Sequence, residues 1–177
     1  IRYLTTVSGG SIIGAYYALG YPPSLFRKKL QENRPGLPDD FVSMHWVLLD
    51  WFWGKWNSAD TYSRHFRNVF FGSMTLADTT LAPQLLINAT DIEEDADHAR
   101  EVFYQGRHQN YPDLDSTRLA DLVAASGAFP GAFQPKAVRW MPARGSGSPR
   151  TRRFVDGGVV ENLGVEGLDR FRRLQVG

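Results

Sequence analysis

No cysteine occurs among the 177 residues, so disulfides and thiolate metal sites are excluded and the redox compartment stays unread. Nor is charge of one sign in excess. Twenty Lys and Arg against 19 Asp and Glu give a formal net charge of +1, and nothing in that balance points to a nucleic-acid partner. No apolar run approaches the ~20 residues of a membrane-spanning helix. The N-terminus also lacks the basic and apolar regions of a signal peptide. Cytoplasmic and peripheral-membrane locations are both left open. What is present is close to the globular average, 42% hydrophobic and 22% charged, which argues against a disordered tail or a fibre. A chain of this length fits one domain able to bury roughly two-thirds of its unfolded surface.

No internal repeat is apparent. Residues 1–7 are apolar and β-branched and predict a buried strand. Ser8-Gly9-Gly10 breaks it, and Ile12, Ala15, Tyr16 and Leu19 then follow helical spacing, with Gly20 as a helix stop ahead of Pro22 and Pro23. A second short helix is expected over 24–34. Strands are expected at 84–90, 101–104 and 137–141, and a short helix at 119–126 capped by Ser116 or Thr117. Residues 142–153 have the composition of a loop. Phe154 and Val155 read as a brief strand ending at Asp156-Gly157-Gly158, followed by a helix from about Val165 to Leu174. Strands alternating with helices imply an α/β layered fold with a central, largely parallel sheet flanked by helices.

The sharpest chemistry is Thr5-Thr6-Val7-Ser8-Gly9-Gly10-Ser11. A serine on the turn between a buried strand and a helix is the nucleophile-elbow arrangement. Only the second half of the usual G-x-S-x-G is met, as Ser8-x-Gly10. The amides of Gly9 and Gly10 would lie at a helix N-terminus, suited to an oxyanion. The alternative is that Ser8 merely caps the helix. Ser11, inside the first helical turn, is a weaker rival nucleophile. A serine nucleophile needs a base. None of the four histidines follows Asp156, so the order of a conventional α/β-hydrolase triad is not met at that carboxylate. Asp156 itself ends a strand and precedes two glycines, where open α/β sheets place their ligands. An Asp-Gly turn without chemistry is the alternative there.

Together these motifs resemble the patatin-like phospholipase family. The residues that carry the resemblance are the Ser8 elbow, the strand Leu85-Leu86-Ile87-Asn88-Ala89-Thr90-Asp91, the segment Ala124-Ala125-Ser126-Gly127-Ala128-Phe129-Pro130-Gly131-Ala132-Phe133, and Phe154-Val155-Asp156-Gly157-Gly158 with Asn162 following. The resemblance implies a patatin-like fold and hydrolysis of ester bonds in phospholipids or other acyl lipids. Ser8 would be the nucleophile and Asp156 the base of a dyad without histidine or cofactor. Gly157 and Gly158 would let the backbone pass close to the elbow. It also implies a Gly-rich oxyanion loop ahead of the elbow. That loop would precede Ile1, so the 177 residues read as a partial domain that on its own turns over weakly. Two other readings stand beside this one: an esterase with a Ser-His-Asp triad, and a lipid-binding domain with a dead site.

Residues 35–80 match least and read as a family-variable insertion or lid-like segment. Within them Trp46, Trp51, Trp53 and Trp56 suit either peripheral contact with a membrane or core packing. Arg144, Arg150, Arg152 and Arg153 read as a solvated loop, with phosphate contact as the alternative. The acidic run 91–97 lacks the glycine and terminal glutamate of a calcium loop and reads as a solvated turn. No phosphate-cradling glycine loop, histidine metal pair or nucleic-acid motif is present.

Overall fold

The computed structural model describes residues 1–32, 58–80, 82–95, 98–106, 114–140 and 150–176. The chain opens with strand β1 (Tyr3–Val7), helix α1 (Gly10–Ala18) and helix α2 (Pro23–Glu32). Helix α3 (Ser58–Phe66) follows and continues into one π-helical turn, Arg67–Phe71. Strands β2 (Gln84–Asp91) and β3 (Arg100–Phe103) precede helix α4 (Leu119–Ser126). Strands β4 (Lys136–Trp140) and β5 (Arg150–Asp156) lead to helix α5 (Val165–Val176).

The layered α/β architecture agrees with the sequence reading, but strand direction does not follow a largely parallel sheet. Among the described pairings β1–β2 is parallel, while β2–β3, β2–β5 and β4–β5 are antiparallel. The reason is connection length. The β2–β3 link is short, and a parallel return needs a crossover of a dozen or more residues. The order β1-β2-β5-β4, with β3 also on β2, gives β2 three partners. Its residues 84–88 face β1, residues 89–91 face β5, and residues 87–90 face β3. Since β3 overlaps both of the others, it holds one edge of β2 alone. Strands β1 and β5 share the opposite edge end to end.

Strand β2 is buried on both faces, which is why it reads as a near-continuous apolar run. Leu85, Ile87 and Ala89 enter the main core with Tyr16, Phe66, Phe71, Leu122 and Val123. Leu86 faces the other way, against Val102, Tyr104 and Phe171 of a smaller cluster that Tyr3 and Leu168 border. Helix α4 has only eight residues, too few to persist alone. Six of them, Leu119, Ala120, Leu122, Val123, Ala124 and Ala125, are buried at 0–1% exposure, and burial of each large side chain contributes roughly 1.5–3 kcal/mol. Residues 58–80 belong to this core through Phe66, Phe70, Phe71 and Leu76. The rest of the expected insertion, with Trp46, Trp51, Trp53 and Trp56, lies outside the described residues.

Three local expectations are corrected. Helix α4 has Arg118 at its N-cap and no side-chain cap from Ser116 or Thr117. Residues 150–153 are strand rather than loop. They pair with β4 from Arg150↔Trp140 to Arg153↔Ala137. The acidic run is not simply solvated, because those strand arginines reach it. Arg152 Nη1 lies 2.6 Å from Asp91 Oδ2, with Glu94 on the same guanidinium, and Arg153 Nε lies 3.2 Å from Glu93 Oε1. Asp91 is 1% exposed, and a carboxylate that deep requires a cation and hydrogen bonds. Arg144 lies outside the described residues.

Candidate active site

The elbow forms because β1 must stop and α1 must start within two residues. Ser8 takes φ 52°, the one non-glycine residue with positive φ among the described residues. That region costs an L-residue about 1–2 kcal/mol. The N-cap of α1 is Gly9, with no side-chain cap, so Ser8 Oγ does not serve the helix. Thr6, standing where the motif has its first glycine, is buried and donates from Oγ1 to Leu86 O (3.1 Å). Room for it comes from α1, since a Cβ on Gly14 would lie 2.3 Å from Thr6 Cγ2. Ser11 is fully buried and bonded to Thr6 Oγ1 and Ser126 Oγ, so substrate does not reach it. Gly9 and Gly10 are exposed, and a Cβ on either would meet nothing within 4 Å. Among the described residues neither amide donates to another group. Both stand free at a helix N-terminus, where N–H groups favour negative charge.

Asp156 arrives from the opposite direction. In the register on β2, Val7 is opposite Asn88 and Asp156 is opposite Ala89. The C-terminal ends of β1 and β5 therefore meet on one edge of β2, and Ser8, just past β1, converges with Asp156, the last residue of β5. Ser8 Oγ donates to Asp156 Oδ2 at 2.5 Å. The other oxygen, Oδ1, accepts from Gly158 N at 2.7 Å, and the Asp156 carbonyl accepts from Thr90 Oγ1 at 3.0 Å. Asp156 is 3% exposed, so its carboxylate is held at both oxygens and largely out of water.

The two glycines after Asp156 differ in role. A Cβ on Gly157 would fall 2.5 Å from Asn88 O, a backbone atom of the central strand. A Cβ on Gly158 would meet the Asn162 and Asp156 side chains at 2.9 and 3.0 Å. The close approach at Gly157 is thus to β2 rather than to the elbow itself. Gly157→Ala should lower unfolding stability by about 1–3 kcal/mol, the usual cost of forcing atoms into a packed site. Urea denaturation checks this, and an unchanged midpoint would mean the backbone has slack at this turn.

Several contributors were not singled out from sequence. Ser126 Oγ accepts from Ser8 N (3.0 Å) and donates to Asn88 O (2.7 Å). Asn88 Nδ2 donates to Thr5 Oγ1 and Thr6 O, both at 2.9 Å. Tyr62 stacks on Phe133 with ring centroids 5.0 Å apart. Burial raises its phenol pKa, and the negative charge of Asp156 adds to the rise. The available signal was polarity beside apolar runs, Ser126 following Leu122-Val123-Ala124-Ala125 and Asn88 following Leu85-Leu86-Ile87, because buried polar groups need partners.

The two histidines among the described residues meet partners away from Ser8 and Asp156. His98 Nδ1 lies 2.7 Å from Asp95 at the exposed acidic turn. His65, on α3, has its pKa lowered by burial. His45 and His108 lie outside the described residues. Among the described residues no three His, Asp or Glu side chains gather to hold a metal ion, and no helix is long and apolar enough to cross a membrane. An open groove of about 410 Å³ runs beside the elbow between Leu4, Val7, Ile13, Tyr17 and Leu163.

A family model described as patatin-like phospholipase matches residues 1–169. No curated protein matches the chain.

Proposed function

The chain belongs to the patatin-like phospholipase family of lipid acyl hydrolases, and from that premise we propose that it cleaves carboxylic ester bonds of phospholipids or related acyl lipids with Ser8 as nucleophile and Asp156 as base. The observation that carries this reading is the 2.5 Å hydrogen bond from Ser8 Oγ to Asp156 Oδ2. Oγ attacks the ester carbonyl carbon while its proton passes to Oδ2. The resulting oxyanion is met by the amides of Gly9 and Gly10. Collapse expels the alcohol, which takes the proton from Asp156, and leaves an acyl-serine. Water then attacks that ester, Asp156 accepts the proton, and the free acid departs as Oγ is reprotonated.

Two further features support the reading. A Ser-His-Asp triad puts an imidazole between serine and carboxylate, whereas here the two are in direct contact. The exposed apolar side chains Ile13, Tyr17 and Leu163 line the groove beside the elbow. Such a cluster suits an acyl substrate.

The test is fluorophosphonate labelling of the full-length protein, with the adduct mapped by peptide mass, beside hydrolysis of an acyl ester in mixed micelles. An adduct on Ser8 with turnover is the expected result. A folded protein that binds the micelles but carries no adduct would return the site to the lipid-binding reading.

A further inference from the structure

We infer that Ser126 is the positioning residue of the elbow, and that the turn it begins clamps nucleophile and base together by their backbones. This rests on the Ser8–Asp156 reading and adds to it the device that holds Ser8 in a left-handed conformation. A strained residue persists only where its surroundings over-determine it. Here the determinant is one hydroxyl. Ser126 is fully buried at the C-terminal end of α4. Its Oγ donates to Asn88 O at 2.7 Å, which commits its single proton. Its lone pairs accept from Ser8 N at 3.0 Å and face Ser11 Oγ at 2.8 Å, whose single proton is shared between Ser126 Oγ and Thr6 Oγ1. The bonds to Asn88 O and Ser8 N run in defined directions, so the hydroxyl is tied to the sheet and the amide of Ser8 is tied to it.

The anchor point matters as much as the bond. Asn88 is the β2 residue opposite Val7, one position from the residue opposite Asp156. Ser126 therefore ties the elbow to the sheet at the level where β1 and β5 meet. Two residues on, Ala128 O accepts from Asp156 N at 3.0 Å. The segment 126–128 thus holds the backbone N–H of both residues. Gly127 lies between them, where a Cβ would make ordinary contacts, 3.4 Å from Tyr62 Cε1 and 4.0 Å from Ser8 C. One chemical consequence follows. With its N–H engaged, Ser8 has no amide to offer an oxyanion, and that task falls to Gly9 and Gly10.

The experiment compares Ser126→Ala, Ser126→Cys and Ser11→Ala in the full-length protein. It reads kcat and KM on an acyl ester and hydrogen exchange at the Ser8 amide. Ser126→Ala should lower kcat about 10²-fold with KM within about twofold, the size expected when a reacting group drifts by an ångström. Exchange at Ser8 should rise at least about tenfold. Ser126→Cys, a weaker acceptor of similar shape, should fall between wild type and alanine, and it carries the test alone if the alanine variant does not fold. Ser11→Ala removes an equally buried hydroxyl from the same network without touching the Ser8 backbone. It should leave kcat within about threefold and Ser8 protected. Equal losses from Ser11→Ala and Ser126→Ala would overturn the inference, as would an unchanged kcat in the Ser126 variants. If the wild type carries no activity, the catalytic reading fails by itself. Exchange at Ser8 still reports the clamp, which stands if Ser126→Ala or Ser126→Cys raises it and falls if they do not.

Discussion

Ser8→Ala is expected to lower kcat on an acyl ester by at least about 10⁴-fold, with KM little changed. The covalent route ends when the nucleophile is removed, and the residual rate reflects binding and the oxyanion amides alone. Ser11 offers no bypass, because it is fully buried and bonded within the protein. Ser8→Gly should be equally inactive yet differ in stability. Both variants lose the hydroxyl that meets Asp156, so comparing them isolates the backbone. Alanine keeps a Cβ at φ 52° and glycine does not. Relief of that strain, less the extra freedom glycine has when unfolded, leaves the glycine variant more stable by about 0.5–1 kcal/mol. Urea midpoints of the two proteins read this difference. Turnover within tenfold of wild type in Ser8→Ala would move the nucleophile to another residue, and equal midpoints would mean that the elbow is unstrained.

Local chemistry was legible in the sequence and pairing was not. A β-branched run, Ser-Gly-Gly and helical spacing are signals within a dozen residues, and they placed β1, the turn and α1 correctly. The same holds for the strand expected at 84–90, which forms over Gln84–Asp91. The meeting of Ser8 with Asp156 depends on β1 and β5 ending on neighbouring residues of β2, with 148 positions between the two side chains. No local pattern encodes that register, so the sequence could nominate the pair only through resemblance. Arg152 and Arg153 were read with the glycine- and serine-rich stretch before them. Their strand character comes from β4 alongside and from the acidic end of β2, which is tertiary context overriding propensity. Ser126 was named only within the segment 124–133 that carries the resemblance, without a role, because its three partners come from residues 8, 11 and 88.

Asp156→Asn carries the second large effect, and its value as a test lies in what it preserves. Asparagine has the same shape, and its oxygen can still accept from Gly158 N as Oδ1 does now at 2.7 Å. The turn that follows β5 therefore survives. At the position of Oδ2 an NH₂ group would face Ser8. It can donate to Oγ but cannot take its proton. Loss of a positioned base costs about 10²–10⁴-fold, and a wrongly oriented hydrogen bond at the nucleophile places this variant near the upper end. We expect kcat down by about 10³–10⁴-fold, KM within about threefold, and fluorophosphonate labelling of Ser8 slowed in parallel. His65→Gln and His98→Gln are the matching controls. His98 is engaged with Asp95 at the exposed turn, and His65 sits half-buried on α3 beside Phe66. Each should keep turnover within about threefold. A histidine variant that loses as much as Asp156→Asn would replace the dyad with a triad. An Asp156→Asn enzyme with wild-type kcat would leave the 2.5 Å hydrogen bond as a structural tie between two strand ends.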